Sequence, residues 1–354
     1  MKIKSKILHK ELMNSKSRGL IDSMLLNANG AFDTNSAAYQ FVIDTLSYIR
    51  STIIEQKFYK IPFADFVPVD VGEGAFGSEI IQNMSFQVGG DFYAGDVNAN
   101  PTQGRIADVG AFLQPTRIPT QLWMKKAIWT TIEVKQAAAT NKWDVIASRI
   151  ESLKKDWDLG LQETCFLGHP TISTMSGLLN NAEVTINTDL IAVPISEMTV
   201  AQLKSFIQNA LTEYWANTNN TEMPDTFLMP TADLLGMGDF VGDTTVINPL
   251  ALKIDVIENM FKKITQNENF KVRHVAYCQA NRNSVRGINK DRYVLYKNDA
   301  ETLNMPIPID FDMLAADTGD QIQWAQGAYG QYSGVLINRV PEVLYLDAVT
   351  PKTY

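Results

Sequence analysis

The chain has 354 residues, 45% hydrophobic and 20% charged, a balance that fits one large domain or two to three smaller ones and excludes a disordered chain. Its net charge of −8 excludes tight sequence-independent DNA binding, which needs clustered Lys and Arg to release counterions; it does not exclude enclosing DNA. No run approaches the roughly 18 apolar residues of a membrane span, and the basic Met1-Lys2-Ile3-Lys4-Ser5-Lys6 has no apolar stretch behind it, so neither a span nor a secretory signal is expected.

In chain order, Ala37 to Ile54 carries Ala38, Phe41, Val42, Leu46, Ile49 and Ile53 at helical spacing, behind a loop with capping residues at Asp33-Thr34-Asn35-Ser36. It reads equally as an extended arm or as a first helix on its own core. From Ile61 to Val71, apolar residues broken by Pro62 and Pro68 predict an edge strand. Ser85 to Val88 alternates like a strand, as do Ile106 to Val109 and Ala127 to Val134. Between them Gly89 to Arg105 is rich in Gly, Asn, Asp, Pro and Gln and can bury little, so the pattern predicts a protruding β-hairpin with a long polar tip.

A single long helix is predicted next, from a cap at Thr140 or Asn141 to a stop at Gly168. Ile146, Ile150, Leu153, Trp157 and Leu161 form one stripe, and about 28 residues would make a rod of roughly 40 Å. Such a rod needs a sheet or a neighbouring subunit beside it. Beyond it, a helix over Val200–Asn217 capped by Thr199, a buried strand at Thr226–Pro230, a helical turn at Ala232–Met237 and a helix over Pro249–Thr265 are expected. Strands follow at 270–277, Arg292–Tyr296, Gly334–Ile337 and Val343–Leu346, giving a mixed α/β body.

Chemistry-bearing motifs are sparse. Gly72-Glu73-Gly74-Ala75-Phe76-Gly77 matches G-x-G-x-x-G, but Ser78 to Val88 offers no helix to meet a pyrophosphate, so a turn is the better reading. His9, His169 and His274 have no metal-ligand spacing; His169, after the helix stop, could favour the helix C-terminus. Asp310, Asp312, Asp317 and Asp320 could bind a cation through oxygen, although a solvated loop is the simpler reading. Asn219-Asn220-Thr221 reads as a polar loop. Cys165 and Cys278 read as buried free thiols of a reducing cytoplasm, with a disulfide as the alternative. No catalytic, cofactor-binding or metal residue is assigned, and no enzyme activity is expected.

The order of these parts resembles the major capsid proteins of tailed bacteriophages with the Hong Kong 97-type fold. The resemblance rests on Phe66-Val67-Pro68-Val69-Asp70, the polar stretch Gly89 to Arg105, the 140–168 helix and Gly177-Leu178-Leu179-Asn180, and it runs from about residue 60 to the C-terminus. It implies an α+β fold with an N-terminal arm at 1–60 and an extended β-hairpin, the E-loop, at 61–134. A peripheral domain with a long spine helix would occupy 135–175 plus 331–354, and an axial α/β domain 176–330. It also implies pentamers and hexamers of this chain forming an icosahedral head around double-stranded DNA, made in the bacterial host cytoplasm. A portal protein is the implied partner, with separate scaffold and cement proteins where needed; the arm looks too short for a built-in scaffold. The 239–248 and 310–320 stretches are candidate capsomer tips. An encapsulin-like compartment is the alternative. Relatives welded by an isopeptide bond use an E-loop Lys; none lies between Lys60 and Lys125, so a non-covalent or separately cemented shell is expected.

Overall fold

The computed structural model describes residues 59–76, 80–89, 110–140, 144–238, 252–320 and 322–349. The arm helix at 37–54, the hairpin tip, the strand at 106–109, the 239–248 tip, Asn141 and Pro249 lie outside them. The body runs from Lys60 onward.

A short 3-10 turn at Phe63–Asp65 leads into β1 (Val69–Val71), which pairs in parallel with β8 (Leu303–Ile307) at the edge of a three-stranded sheet completed by β12 (Leu336–Ile337). Pro62 and Pro68 both stay outside β1, consistent with their missing N–H groups. The hairpin is present as an antiparallel pair, β2 (Ile80–Gly89) and β3 (Gly110–Thr130), in register from Ile80↔Pro119 to Gly89↔Gly110. β3 also pairs along its other edge with β11 (Gln323–Ser333), against which β9 (Ile309–Met313) and β10 (Asp317–Asp320) lie.

Around the long helix two boundaries differ from expectation. The strand predicted over Ala127–Val134 ends at Thr130, where a helix begins: α1 (Thr131–Thr140). The cause is a reciprocal cap, Thr130 N donating to Glu133 Oε2 at 2.9 Å and Glu133 N donating to Thr130 Oγ1 at 3.2 Å. Thr140 therefore closes one helix rather than opening the next. The long helix α2 runs over Val145–Leu167, 23 residues and about 34 Å, with the Asp144 carboxylate accepting from Ile146 N and Ala147 N.

The second large sheet has the order β4 (Thr185–Asn187), β13 (Val343–Asp347), β7 (Arg292–Tyr296), β5 (Thr226–Pro230), β6 (Lys271–Val275), with mixed directions. Its central strands are buried on both faces, which is why they read as continuous apolar runs. Phe227, Met229, Tyr293, Leu295, Leu344 and Leu346 face α3 (Val200–Asn217) and α5 (Lys253–Thr265). Leu228, Val294, Tyr296, Val343 and Tyr345 face the end of α2. The short helix α4 (Thr231–Gly236) follows β5. Val343–Asp347, expected with the segment around the long helix, instead pairs with Arg292–Tyr296 inside this sheet.

Cys165 and Cys278 are free and fully buried. Burial pushes both thiols well up, and burial does the same to Tyr214, Tyr296 and Tyr345. A thiol raised in the fold contributes its full stability below the unfolded pKa of about 8.5 and loses it as pH climbs towards the folded value. Stability is therefore expected to fall above that point by about 1.4 kcal/mol per pH unit for each thiol, with the phenols adding to the slope near pH 10. Chemical denaturation of unassembled subunits between pH 8 and 10 reads this directly. A Cys165→Ala/Cys278→Ala variant with the same slope as the parent would refute it.

Candidate assembly framework

The long helix is the element both large sheets share. Its first half lies on the hairpin sheet, where Val145 and Leu153 pack with Ala127, Trp129 and Ala328. Its second half, from Leu161 to Leu167, packs under the α/β sheet. The predicted stripe holds at Leu153, Trp157 and Leu161, all buried, while Ile146 and Ile150 are half-buried.

Trp157 marks the changeover. Its ring lies 5.2 Å from Trp123 and 5.7 Å from Tyr332, and its indole N–H donates to Asp310 Oδ1 at 3.3 Å. The indole fits because residue 330 is glycine: a Cβ there would sit 2.4 Å from the ring. Ion pairs flank the helix at Lys60–Asp158, Lys125–Asp156 and Arg286–Glu163. Each has at least one partner close to half exposed or more, so each contributes little on its own.

The helix ends in a closed lock formed by the Gly177-Leu178-Leu179-Asn180 segment. Leu178 N donates to Cys165 O at 2.8 Å and Leu179 N to Phe166 O at 2.9 Å, satisfying carbonyls that a helix end leaves open. Asn180 completes it, its Nδ2 donating to Leu167 O at 2.7 Å and its Oδ1 accepting from Gly177 N at 2.6 Å. Gly168, at φ +71°, makes the exit turn. His169 does not act as a cation there. Burial, and then the nearby Arg286 guanidinium, lower its pKa, and Nδ1 accepts from Thr171 N at 3.3 Å and Ile172 N at 3.2 Å, the role of a neutral ring.

A buried ion pair ties this lock to the α/β sheet. Arg292 holds Asp347 through two bonds of 2.6 and 2.8 Å, donates to Leu179 O at 2.6 Å and stacks over Tyr345. The Tyr345 hydroxyl donates to Leu178 O at 2.6 Å. On the opposite face of the sheet the buried Asp233 carboxylate accepts from Ile195 N, Ser196 N and the Tyr293 hydroxyl. No sequence pattern marks a role for Arg292, Tyr345, Asp347 or Asp233.

The remaining sequence candidates are structural. Gly72 and Gly74 form a left-handed turn after β1, and a strand, not a helix, follows at Ile80. Asn219 and Asn220, at φ 52° and 61°, make the turn after α3. Asp310, Asp312, Asp317 and Asp320 sit on β9 and β10, so 310–320 is paired onto β11 and is not a tip of the α/β sheet. Among the described residues no three His, Cys, Asp or Glu side chains converge for a metal ion. His274 shares a contact with Thr231 Oγ1 at 3.2 Å; His9 lies outside the described residues.

One helix thus packs against both large sheets, and a long antiparallel pair belongs to one of them. A family model described as "Major capsid protein" matches residues 100–349, and the chain belongs to that family. Its members are structural proteins of the capsid, not enzymes. The fold is similar to that of the capsid of Myoviridae Phage XM1, with a TM-score of 0.70 and 16% identity over 86% of this chain and 98% of that one. It is also similar to a chain of Mycobacterium phage Ogopogo (TM-score 0.53, 12% identity, 87% and 99% covered) and to the capsid of a native GTA particle (0.55, 8%, 90% and 99%). Among curated proteins no sequence match is found. The family match does not favour the encapsulin-like compartment. Among the described residues no helix is long and apolar enough to cross a membrane.

Proposed function

We propose that this chain self-assembles as pentamers and hexamers into the icosahedral head of a tailed phage, with the Hong Kong 97-type fold, around double-stranded DNA. The observation that carries the reading is the family match over 100–349 joined to a shared fold that spans nearly the whole of the XM1 capsid chain. The β2–β3 pair is the base of the E-loop, and α2 is the spine helix. The arm is 1–60 and the E-loop region 61–134. The peripheral portion is 135–175 with β9 to β11 added, because those strands pair with β3 or with each other. The axial portion is 176–308 with β13 added, because it pairs with β7. The partners are a portal protein and, where required, separate scaffold and cement proteins, and synthesis is in the bacterial cytoplasm. The net charge of −8 suits a container that does not grip its contents.

Electron microscopy of the chain expressed alone, and with neighbouring phage genes, tests this. Closed shells, tubes or capsomer sheets are expected. Dissolved shells should yield a single chain mass, since no Lys lies between Lys60 and Lys125 to supply the hairpin tip with a nucleophile for a covalent weld. Failure to assemble with any neighbouring gene would refute the reading, and a ladder of linked chains would refute its non-covalent part.

A further inference from the structure

We propose that the Thr350–Tyr354 segment folds back over a groove between α3 and the 190–198 loop, and that the Tyr354 ring fills it. The contact is made within one chain and stands apart from the shell-subunit reading.

The groove is open to solvent and about 330 Å³ in volume. Its floor is apolar: Met198 and Phe206 line it and are otherwise buried, 5% and 4% exposed. One wall is Leu190 and Val193, the latter 37% exposed. The other wall is the row Ala201, Ser205 and Asn209, one helical turn apart on the solvent side of α3. These three side chains are short, so the trough stays open along about 12 Å of helix. An apolar floor with hydroxyl and amide groups on the rim suits a ring with a polar tip, a tyrosine before a leucine or a phenylalanine.

The path of the chain selects the occupant. β13 runs parallel to β4, with Leu344 beside Thr185 and Leu346 beside Asn187. The parallel course continues past both strands, since Val349 N donates to Ile191 O at 2.9 Å. The chain therefore leaves Val349 heading alongside Ala192 and Val193, at the wall of the groove. The five residues from Thr350 to Tyr354 reach about 16 Å when extended, enough to lay the tyrosine anywhere along the trough. Lys352 is the one charged side chain among them, and the 188–198 loop offers it exposed Asp189 and Glu197 and no cation. A second copy would have to compete with a segment tethered a few residues away, at millimolar effective concentration.

Cysteine cross-linking of the full chain tests this. Cys165 and Cys278 are fully buried and do not compete. Under mild oxidant a Tyr354→Cys/Ser205→Cys variant should form an intrachain disulfide at least about tenfold more than Tyr354→Cys/Ser152→Cys, whose second thiol lies exposed on α2. Without added cysteines, Tyr354→Ala should lower the melting temperature by about 1–3 °C and Tyr354→Phe by less. Amide exchange at Ala192 and Val193 should be at least about threefold faster in Tyr354→Ala than in the parent. Equal cross-linking at the two sites would overturn the proposal. So would a link found only between chains, which would give the groove to another copy. Exchange at Ala192 and Val193 that ignores Tyr354→Ala would overturn it as well, because something other than Tyr354 would then decide their exposure. Each readout holds whether or not shells form, so failure here leaves the shell reading standing.

Discussion

Gly177→Ala is expected to destabilise the subunit by about 3 kcal/mol or more, and Gly160→Ala to stabilise it by up to about 1 kcal/mol. The contrast is steric. A Cβ on Gly177 would lie 2.5 Å from Gly168 N, 2.6 Å from Phe166 C and 2.7 Å from Leu167 N. All three are backbone atoms of the helix end and its exit turn, so no side chain can swing aside. Relief would require the 177–180 segment to lift away. That would break the bonds from Leu178 N and Leu179 N to the helix carbonyls and the two Asn180 bonds. Gly160 lies within the same helix with nothing within 4 Å of its would-be Cβ, so alanine there brings only helix propensity. Thermal unfolding of unassembled subunits separates the two, at about 1–2 °C per kcal/mol for a chain of 354 residues. A Gly177→Ala subunit that melts within a degree of the parent would sink the lock as described.

Local rules, where they act alone, made much of this fold legible. The helix over Val200–Asn217 is foretold by its apolar spacing and by Thr199, whose side chain forms a capping box with Gln202. Thr226–Pro230 and Arg292–Tyr296 are foretold by apolar runs with turn residues outside them. Two further local signals lie at the helix starts. Thr130-Thr131-Ile132-Glu133 is a capping-box spacing that announces α1, and Asp144 before Val145 announces the true start of α2. Ile309-Asp310-Phe311-Asp312-Met313 alternates with period two, a strand pattern masked by its acidic residues. What no local rule could supply is partnership across long separations. Gly330 under the Trp157 ring is one case, and Arg292 against Asp347, 55 residues away, is another. The place of β13 in the α/β sheet is of the same kind, because an apolar strand carries no label for its neighbours.

Removing either partner of the Arg292–Asp347 pair is expected to cost about 3–5 kcal/mol, and removing both to cost less than the sum. The pair is nearly dry, with side chains 7% and 6% exposed. Asp347→Ala strands a guanidinium whose remaining ties are the Leu179 carbonyl and the Tyr345 ring. Arg292→Met strands the carboxylate and leaves Leu179 O without its donor. The double variant Arg292→Met/Asp347→Leu removes both charges, so the uncompensated-charge penalty disappears. It does not return to the parent, because the Leu179 carbonyl still lacks the Arg292 bond. The geometry also predicts where the damage appears. Leu179 belongs to the segment that closes α2, so loosening Arg292 should first raise exchange at the Leu178 and Leu179 amides, before that at β5. Denaturant midpoints of the four proteins in this cycle decide it. Single variants costing under about 1 kcal/mol, or a strictly additive double, would show that the helix lock and the α/β sheet are fastened by their apolar contacts alone.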